Sequence, residues 1–360
     1  MHKIKGIFVS TLLLLSLLAI IAPVSAGTIH VYPGDDIGAK LGSTVSGDTI
    51  YIHAGTYTLS ASPNLDNKSL TIIGDGASST IINFVGADTR LYFYMYPGPS
   101  RTINISGITF KGDPTITTAR LVYFFNNDSD TRATMNARIT DCVFEKASEL
   151  FRAGAYAANM QSIILENSVL KNGSSVGVYV EDYGNVIIKN CLLSTAGEVG
   201  IDSIQYSQTN VQSCTINNSL DGITYRNNAT GSVKDSIITN NVVGIRNQST
   251  GTVTAMYNNV WGNKNTNYNG ITPGTGSLSV DPRYVDGVDT FYLNQASQCV
   301  NSGSDQSSTL GLYNGYTTRT DGVWDKGTVD MGYHYKSTRG PPGSSPIAKI
   351  LEIIKGNKNK

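Results

Sequence analysis

IKNCLLSTAGEVGIDS at residues 188–203 is followed by VQSCTINNSLDGITYR at 211–226 and VKDSIITNNVVGIRNQ at 233–248. In each, a short apolar burst follows a polar residue, then a run of Asn, Ser or Gly, then Gly-Ile. The pattern extends outward in both directions. ITDCVF starts at Ile139, LENSVL at Leu165 and AMYNNV at Ala255. The third residues of these six segments are Asp141, Asn167, Asn190, Ser213, Asp235 and Tyr257, spaced 26, 23, 23, 22 and 22. A second marker, Gly177-Val178, Gly200-Ile201, Gly222-Ile223 and Gly244-Ile245, keeps spacings of 23, 22 and 22. Helical repeats place apolar residues at i, i+3, i+4 and i+7. Here they come in β-branched bursts instead. About 22 residues suffice for three short strands and three turns, one coil of a parallel β-helix.

One coil cannot stand alone. Burying about six apolar side chains yields roughly 10–15 kcal/mol, whereas ordering about 22 backbones costs about 1–2 kcal/mol each. Stacking supplies the difference, and the open ends need covers. The reading is therefore an all-β solenoid of nine or ten coils. Glycine is expected at turns needing positive φ. Asn172, Asn218 and Asn240, five residues after their markers, are expected to stack as a hydrogen-bonded amide ladder. Gly34–Thr49 places Ile37 and Leu41 four apart after Asp35 and Asp36, a short capping helix with acidic residues in its first turn. Residues 113–137 interrupt the period, and after Gly270 the repeat decays into a turn-rich far cover.

Composition agrees. The 360 residues carry 27 basic and 27 acidic groups, and charged residues are only 15%, which disfavours a nucleic-acid protein or an acidic disordered tail. Gly at 37 and Tyr at 20 suit a turn-rich β protein. MHKIK, an apolar run, and the small residues Val24 and Ala26 read as a signal peptide over residues 1–26. Its removal, with Lys3 and Lys5, leaves 25 basic and 27 acidic groups, a net charge of −2. The expected location is extracellular or at the cell surface. The domain is expected over 27–336. STRGPPGSSP then makes a linker over 337–346, and 347–360 form a short amphipathic helix on Ile347, Ile350, Leu351 and Ile354 with a basic end. That helix is a candidate for docking to the cell envelope or another copy.

GDTIYIHAGTYTL (47–59) followed by SLTIIGDGASSTII (69–82) resembles the start of secreted right-handed parallel β-helix proteins of the pectin-lyase-like superfamily. DPRYVDGVDTFYLNQASQCVNSG (281–303) and TTRTDGVWDKGTVDMGYHY (317–335) resemble the closing segment of many prokaryotic members. The likeness spans roughly residues 28–335. It implies the fold, and it implies that Cys299 and DMGYHY belong to the closing segment. It does not select an activity, because one fold hosts many.

Counting from the glycines maps a candidate surface. Two residues on lie Tyr179, Asp202, Thr224 and Arg246; four on lie Glu181, Ile204, Arg226 and Gln248. Alternation points both columns outward and Val178, Ile201, Ile223 and Ile245 inward. Glu181, Asp202, Arg226 and Arg246 are thus expected on one solvent-facing strip, with Asp182, Tyr179 and Tyr206 at its margin. Asp202 and Arg226 lie on a diagonal that a long arginine spans. The leading reading is binding of extended polysaccharide by Tyr179, Glu181, Asp182 and Tyr206, without catalysis. The enzymatic alternative is a polysaccharide lyase, with Asp202, Arg226 and Arg246 catalytic and Glu181, Asp182 and Asp202 as Ca²⁺ ligands. Against it, the WxDH, RxPxxR and GHG patterns of such enzymes are missing, and Asp281-Pro282-Arg283-Tyr284 only begins like the DPHE motif of mannuronan epimerases. A third alternative is a structural or adhesive envelope protein. Cys191 and Cys214 would lie on adjacent coils, either as a disulfide or as part of a buried stack of small residues. With four histidines and no CxxC, zinc is not expected.

Overall fold

The computed structural model describes residues 25–113, 120–129, 133–195, 197–285 and 290–337. Strand-forming bursts wind into three parallel sheets of ten, nine and eight strands, and from the coil that begins at Leu70 each coil contributes one strand to each sheet in turn. The expected solenoid of about ten coils is what forms. Most of the signal peptide expected over 1–26, most of the linker and the C-terminal helix expected over 347–360 lie outside the described residues.

Register follows the markers. In the third sheet Val178 pairs with Ile201, Ile201 with Ile223 and Ile223 with Ile245, and all four are fully buried. A row of like residues from successive coils thus builds one continuous core. The coils are uneven toward the N-terminus. Leu70 pairs with Ile103, thirty-three residues on, and Arg101 with Met135, thirty-four on. The second of these falls where the period was expected to break; the first hid in a stretch with no marker.

The markers themselves form the corner between the first and second sheets. Asp141, Asn167, Asn190, Ser213, Asp235 and Tyr257 all have φ between 48° and 56°, the left-handed region that Asn and Asp tolerate best among non-glycine residues. The glycines do something else. Gly200 does not have positive φ; a Cβ there would lie 2.6 Å from the Gly222 carbonyl oxygen, and one on Gly222 2.6 Å from that of Gly244. Close backbone approach between coils, not turn geometry, requires them.

The amide ladder is also displaced from its expected place. Asn172, Asn218 and Asn240 are exposed and left-handed. The stacked amides sit one residue later: the Ser219 backbone N–H donates to Asn241 Oδ1 at 2.9 Å, and that of Asn241 to Asn263 Oδ1 at 3.0 Å. A left-handed residue turns its own side chain outward and the next one inward, so the buried position carries the ladder. At the N-terminal end the helix Ile37–Gly42 buries Ile37 and Leu41 as expected. Asp36 is its N-cap, accepting from the Ala39 N–H at 3.0 Å, so the acidic group precedes the first turn.

The closing segment does more than cover the far end. It returns along the first corner, stepping back through the coils. Gly332 N–H donates to the Asp235 carbonyl (2.8 Å) and Tyr333 N–H to Thr215 Oγ1 (3.0 Å). His334 N–H donates to Asn190 Oδ1 (2.7 Å), whose amide donates back to the His334 carbonyl (3.0 Å). Lys336 reaches Asp141 at 2.7 Å. The buried His334 ring bridges the Gly332 carbonyl and Asp325 at 3.0 and 2.9 Å. Asn190→Ala removes both buried hydrogen bonds to His334 and a third to Asn167 Oδ1, so it is expected to destabilise this clasp by about 2 kcal/mol. Hydrogen exchange checks this: the His334 amide should exchange faster, with the strand amides of the N-terminal coils unchanged.

Candidate functional site

The outer face of the third sheet brings the sequence-derived columns together. Tyr179, Asp202, Thr224 and Arg246 stand in one row, since Tyr179 pairs with Asp202, Asp202 with Thr224 and Thr224 with Arg246. Arg226 pairs with Gln248 in the second row. The expected diagonal is made: Arg226 Nε donates to Asp202 Oδ1 at 3.1 Å, and its NH2 group grips the other carboxylate oxygen.

The strip is less open than expected. Asp202 is 2% exposed and Glu181 9%, because arginines and tyrosines lie over them. Arg152, which the sequence reading did not single out, binds Glu181 in a fork, Nε to Oε1 at 2.7 Å and NH2 to Oε2 at 2.5 Å. Tyr123 donates its hydroxyl to the same Oε1 at 2.8 Å. The Arg152 guanidinium lies 5.1 Å from the Tyr123 ring centroid and 4.6 Å from that of Tyr179. Gly154 makes room for this, since a Cβ there would meet Glu181 Cγ at 2.9 Å. The network continues through Glu149, which accepts from Arg152 NH1 at 3.0 Å and from Arg120 Nε at 2.9 Å. On the other side Asp221 accepts a fork from Arg246 at 2.7 and 2.8 Å. Arg246 is therefore a partner of Asp221, not of Asp202.

The electrostatics follow from this pairing. Burial raises the Asp202 carboxyl above the ordinary aspartate range, and Arg226 opposes that rise. Burial works against the Arg152 charge, yet Glu181 and Glu149 hold its guanidinium above the usual value. Burial and the neighbouring Glu181 carboxylate push the Tyr123 hydroxyl well up, so it stays a neutral donor. Asp182, at a left-handed corner, is also raised, by burial and then by Glu181.

Two expectations fail here. Glu181, Asp182 and Asp202 do not assemble a calcium site: Glu181 is occupied by Arg152 and Tyr123, Asp202 by Arg226. Among the described residues no three His, Cys, Asp or Glu side chains converge where they could hold a metal ion. The Cys191–Cys214 disulfide is not formed; all four cysteines are buried free thiols. Cys191 N–H points at Cys214 Sγ at 3.4 Å, and Cys214 Sγ in turn bonds the Gln212 carbonyl at 3.2 Å. Burial pushes the Cys142 thiol up to about 12 and raises those of Cys191 and Cys299. The row is a stack of small inward side chains.

Beside the strip, at the corner leading back to the first sheet, runs a row that sequence reading saw only at Tyr206. From the pairings Ala155 with Asp182 and Val180 with Ser203, positions 156, 183 and 206 are equivalent, and all three are tyrosine. Tyr156 is 58% and Tyr206 55% exposed. Tyr183 and Tyr206 stack with centroids 5.0 Å apart. A groove of about 510 Å³, lined among others by Tyr179, Glu198, Asp202, Arg226, Arg246 and Gln248, lies on the adjacent face. Asp221 immediately precedes the marker Gly222, where strict alternation would turn it inward with Ile223, so counting passed over it although it meets Arg246. Arg152 and Tyr123 sit in coils of 26 and more residues, where counting by 22 or 23 loses the row.

Residues 122–281 match the family described as right handed beta helix region. None of the curated proteins matches the chain significantly. Among solved structures the chain is similar to the A-module of mannuronan C-5 epimerase AlgE6 from Azotobacter vinelandii, at 15% identity over 64% of this chain and 74% of that one, with a TM-score of 0.46. It is also similar to the pectate lyase Pel9A, at 11% identity over 79% of this chain and 94% of that one, with a TM-score of 0.43. Among the described residues no helix is long and apolar enough to cross a membrane.

Proposed function

We propose that this chain is an extracellular or cell-surface protein that holds an extended polysaccharide along the outer face of the third sheet and the adjoining tyrosine corner, without turning it over. The observation that carries this reading is the row Tyr156, Tyr183 and Tyr206, one ring per coil beside a polar groove. Successive coils rise by about 4.8 Å, close to the length that one pyranose residue adds to an extended glycan. Aromatic rings with a polar tip suit a ligand that is apolar on its sugar faces and hydroxylated at its edges.

Absence of turnover is supported by the pairing. Glu149, Glu181, Asp202 and Asp221 each accept from an arginine, so each would have to break an ion pair before taking a proton from a sugar. A gel containing polysaccharide tests the reading. Tyr183→Ala and Tyr206→Ala are each expected to weaken retardation about five-fold, on the order of 1 kcal/mol per ring, with no growth of unsaturated-uronate absorbance on any polyuronate with or without Ca²⁺. Absorbance that grows and is abolished by Asp202→Asn would establish the lyase reading instead. Retardation by no polysaccharide, with retention in the envelope, would favour a structural role.

A further inference from the structure

We propose that His30 and His53, on the outer face of the first sheet near the N-terminal end, form a two-histidine site for a divalent late transition-metal ion. The four histidines of the chain are far apart in sequence, yet two of them meet here. His30 pairs with Tyr51 across the first two strands, and His53 lies two residues past Tyr51 on the same face. This brings His30 Nδ1 to 3.0 Å from His53 Nε2. Ligands in cis positions, at about 2.0–2.1 Å from an ion with square or tetrahedral geometry, stand about 2.8–3.4 Å apart. The two nitrogens already have that separation; because the rings meet edge to edge with centroids 5.3 Å apart, each turns on binding to aim its lone pair at one ion.

The surroundings hold the rings in place. Tyr32 stacks on His53 with centroids 4.3 Å apart and planes 8° from parallel. Tyr51 tilts against both imidazoles, at 5.9 and 5.1 Å. Behind His53, Asp75 Oδ2 stands 3.6 Å from Nδ1 and is itself fixed by the Ala54 N–H at 2.8 Å. A carboxylate on the far nitrogen favours the tautomer with Nδ1–H, which leaves the Nε2 lone pair facing His30. In the metal-free pair His30 Nδ1–H donates to that lone pair. Binding moves the His30 proton to its Nε2, so both inner nitrogens present lone pairs and no net proton is released from neutral imidazoles. Water completes the coordination, since the site is open to solvent.

Titration of the full chain with CuCl₂ and with ZnCl₂ at about pH 7.5, followed calorimetrically, tests the site. One saturable ion per chain is expected, tighter for Cu²⁺ than for Zn²⁺. His30→Ala and His53→Ala should each weaken binding at least about ten-fold, and Asp75→Asn about ten-fold through the orienting contact. A His2→Ala background removes the histidine near the start of the chain. Binding weaker than about 1 mM, or equal in both histidine variants and the native chain, overturns the proposal. The variants lie on the outer face of the first coils, so unchanged circular dichroism confirms folding. Gel retardation by polysaccharide is a separate readout and should not change.

Discussion

Arg226→Ala is expected to lower the free energy of unfolding at pH 7 by about 2–3 kcal/mol. This is below the roughly 3–5 kcal/mol lost on breaking a fully buried pair, because the arginine side chain keeps 43% of its exposure while Asp202 keeps 3%. The loss comes less from the missing attraction than from a carboxylate left buried without its partner. Its pH dependence distinguishes this cause from lost packing. Burial already raises the Asp202 carboxyl in the native protein, and Arg226 opposes that rise. Without Arg226 the carboxyl rises further, so the folded variant binds a proton that the unfolded chain releases. Stability linked to a raised pKa is present in acid and lost as pH climbs through the shifted value. The deficit relative to the native chain should therefore shrink to under about 1 kcal/mol near pH 4 and grow toward neutrality. Urea unfolding at several pH values measures it. Asp202→Asn combined with Arg226→Leu should recover most of the loss at pH 7; a double variant as unstable as the single one would refute the account.

Gly200→Ala is expected to cost about 2–3 kcal/mol by overpacking. The added methyl would start 2.6 Å from the Gly222 carbonyl oxygen and 3.0 Å from an Ile216 methyl. Both belong to the next coil, and the carbonyl cannot move without disturbing that coil's strand. The effect should be cooperative, since Gly177, Gly222 and Gly244 meet the same constraint in their own coils. Gly42→Ala is the control. Its Cβ meets nothing within 4 Å and its φ is not positive, so the change should be neutral or stabilising by up to about 1 kcal/mol. Equal unfolding midpoints for the two variants would contradict the close-approach explanation.

The legible part of the protein is where the period holds. From Asp141 to Tyr257 the markers located the corners, the inward isoleucines and the Asp202–Arg226 diagonal, because one offset applies to every coil there. Legibility failed in two ways. Where coils lengthen, so that Tyr123 pairs with Arg152 and Arg152 with Tyr179 at steps longer than 22 or 23, counting loses the row, so Tyr123 and Arg152 stayed hidden although they govern Glu181. And a pattern can mark a position without stating its cause: the glycine spacing was visible, but it records backbone proximity rather than a turn.

The periodic sequence alone determined the solenoid, its handover of strands among three faces and which residues point outward. Those follow from strand alternation and a constant coil length, both local properties. Only the tertiary structure decided that the outward carboxylates are spoken for by arginines, that His30 and His53 touch, and that the closing segment runs back over the corner to Asp141. Each of these depends on side-chain reach between coils or on long-range docking, and residue spacing along the chain does not encode the distances at which such groups meet.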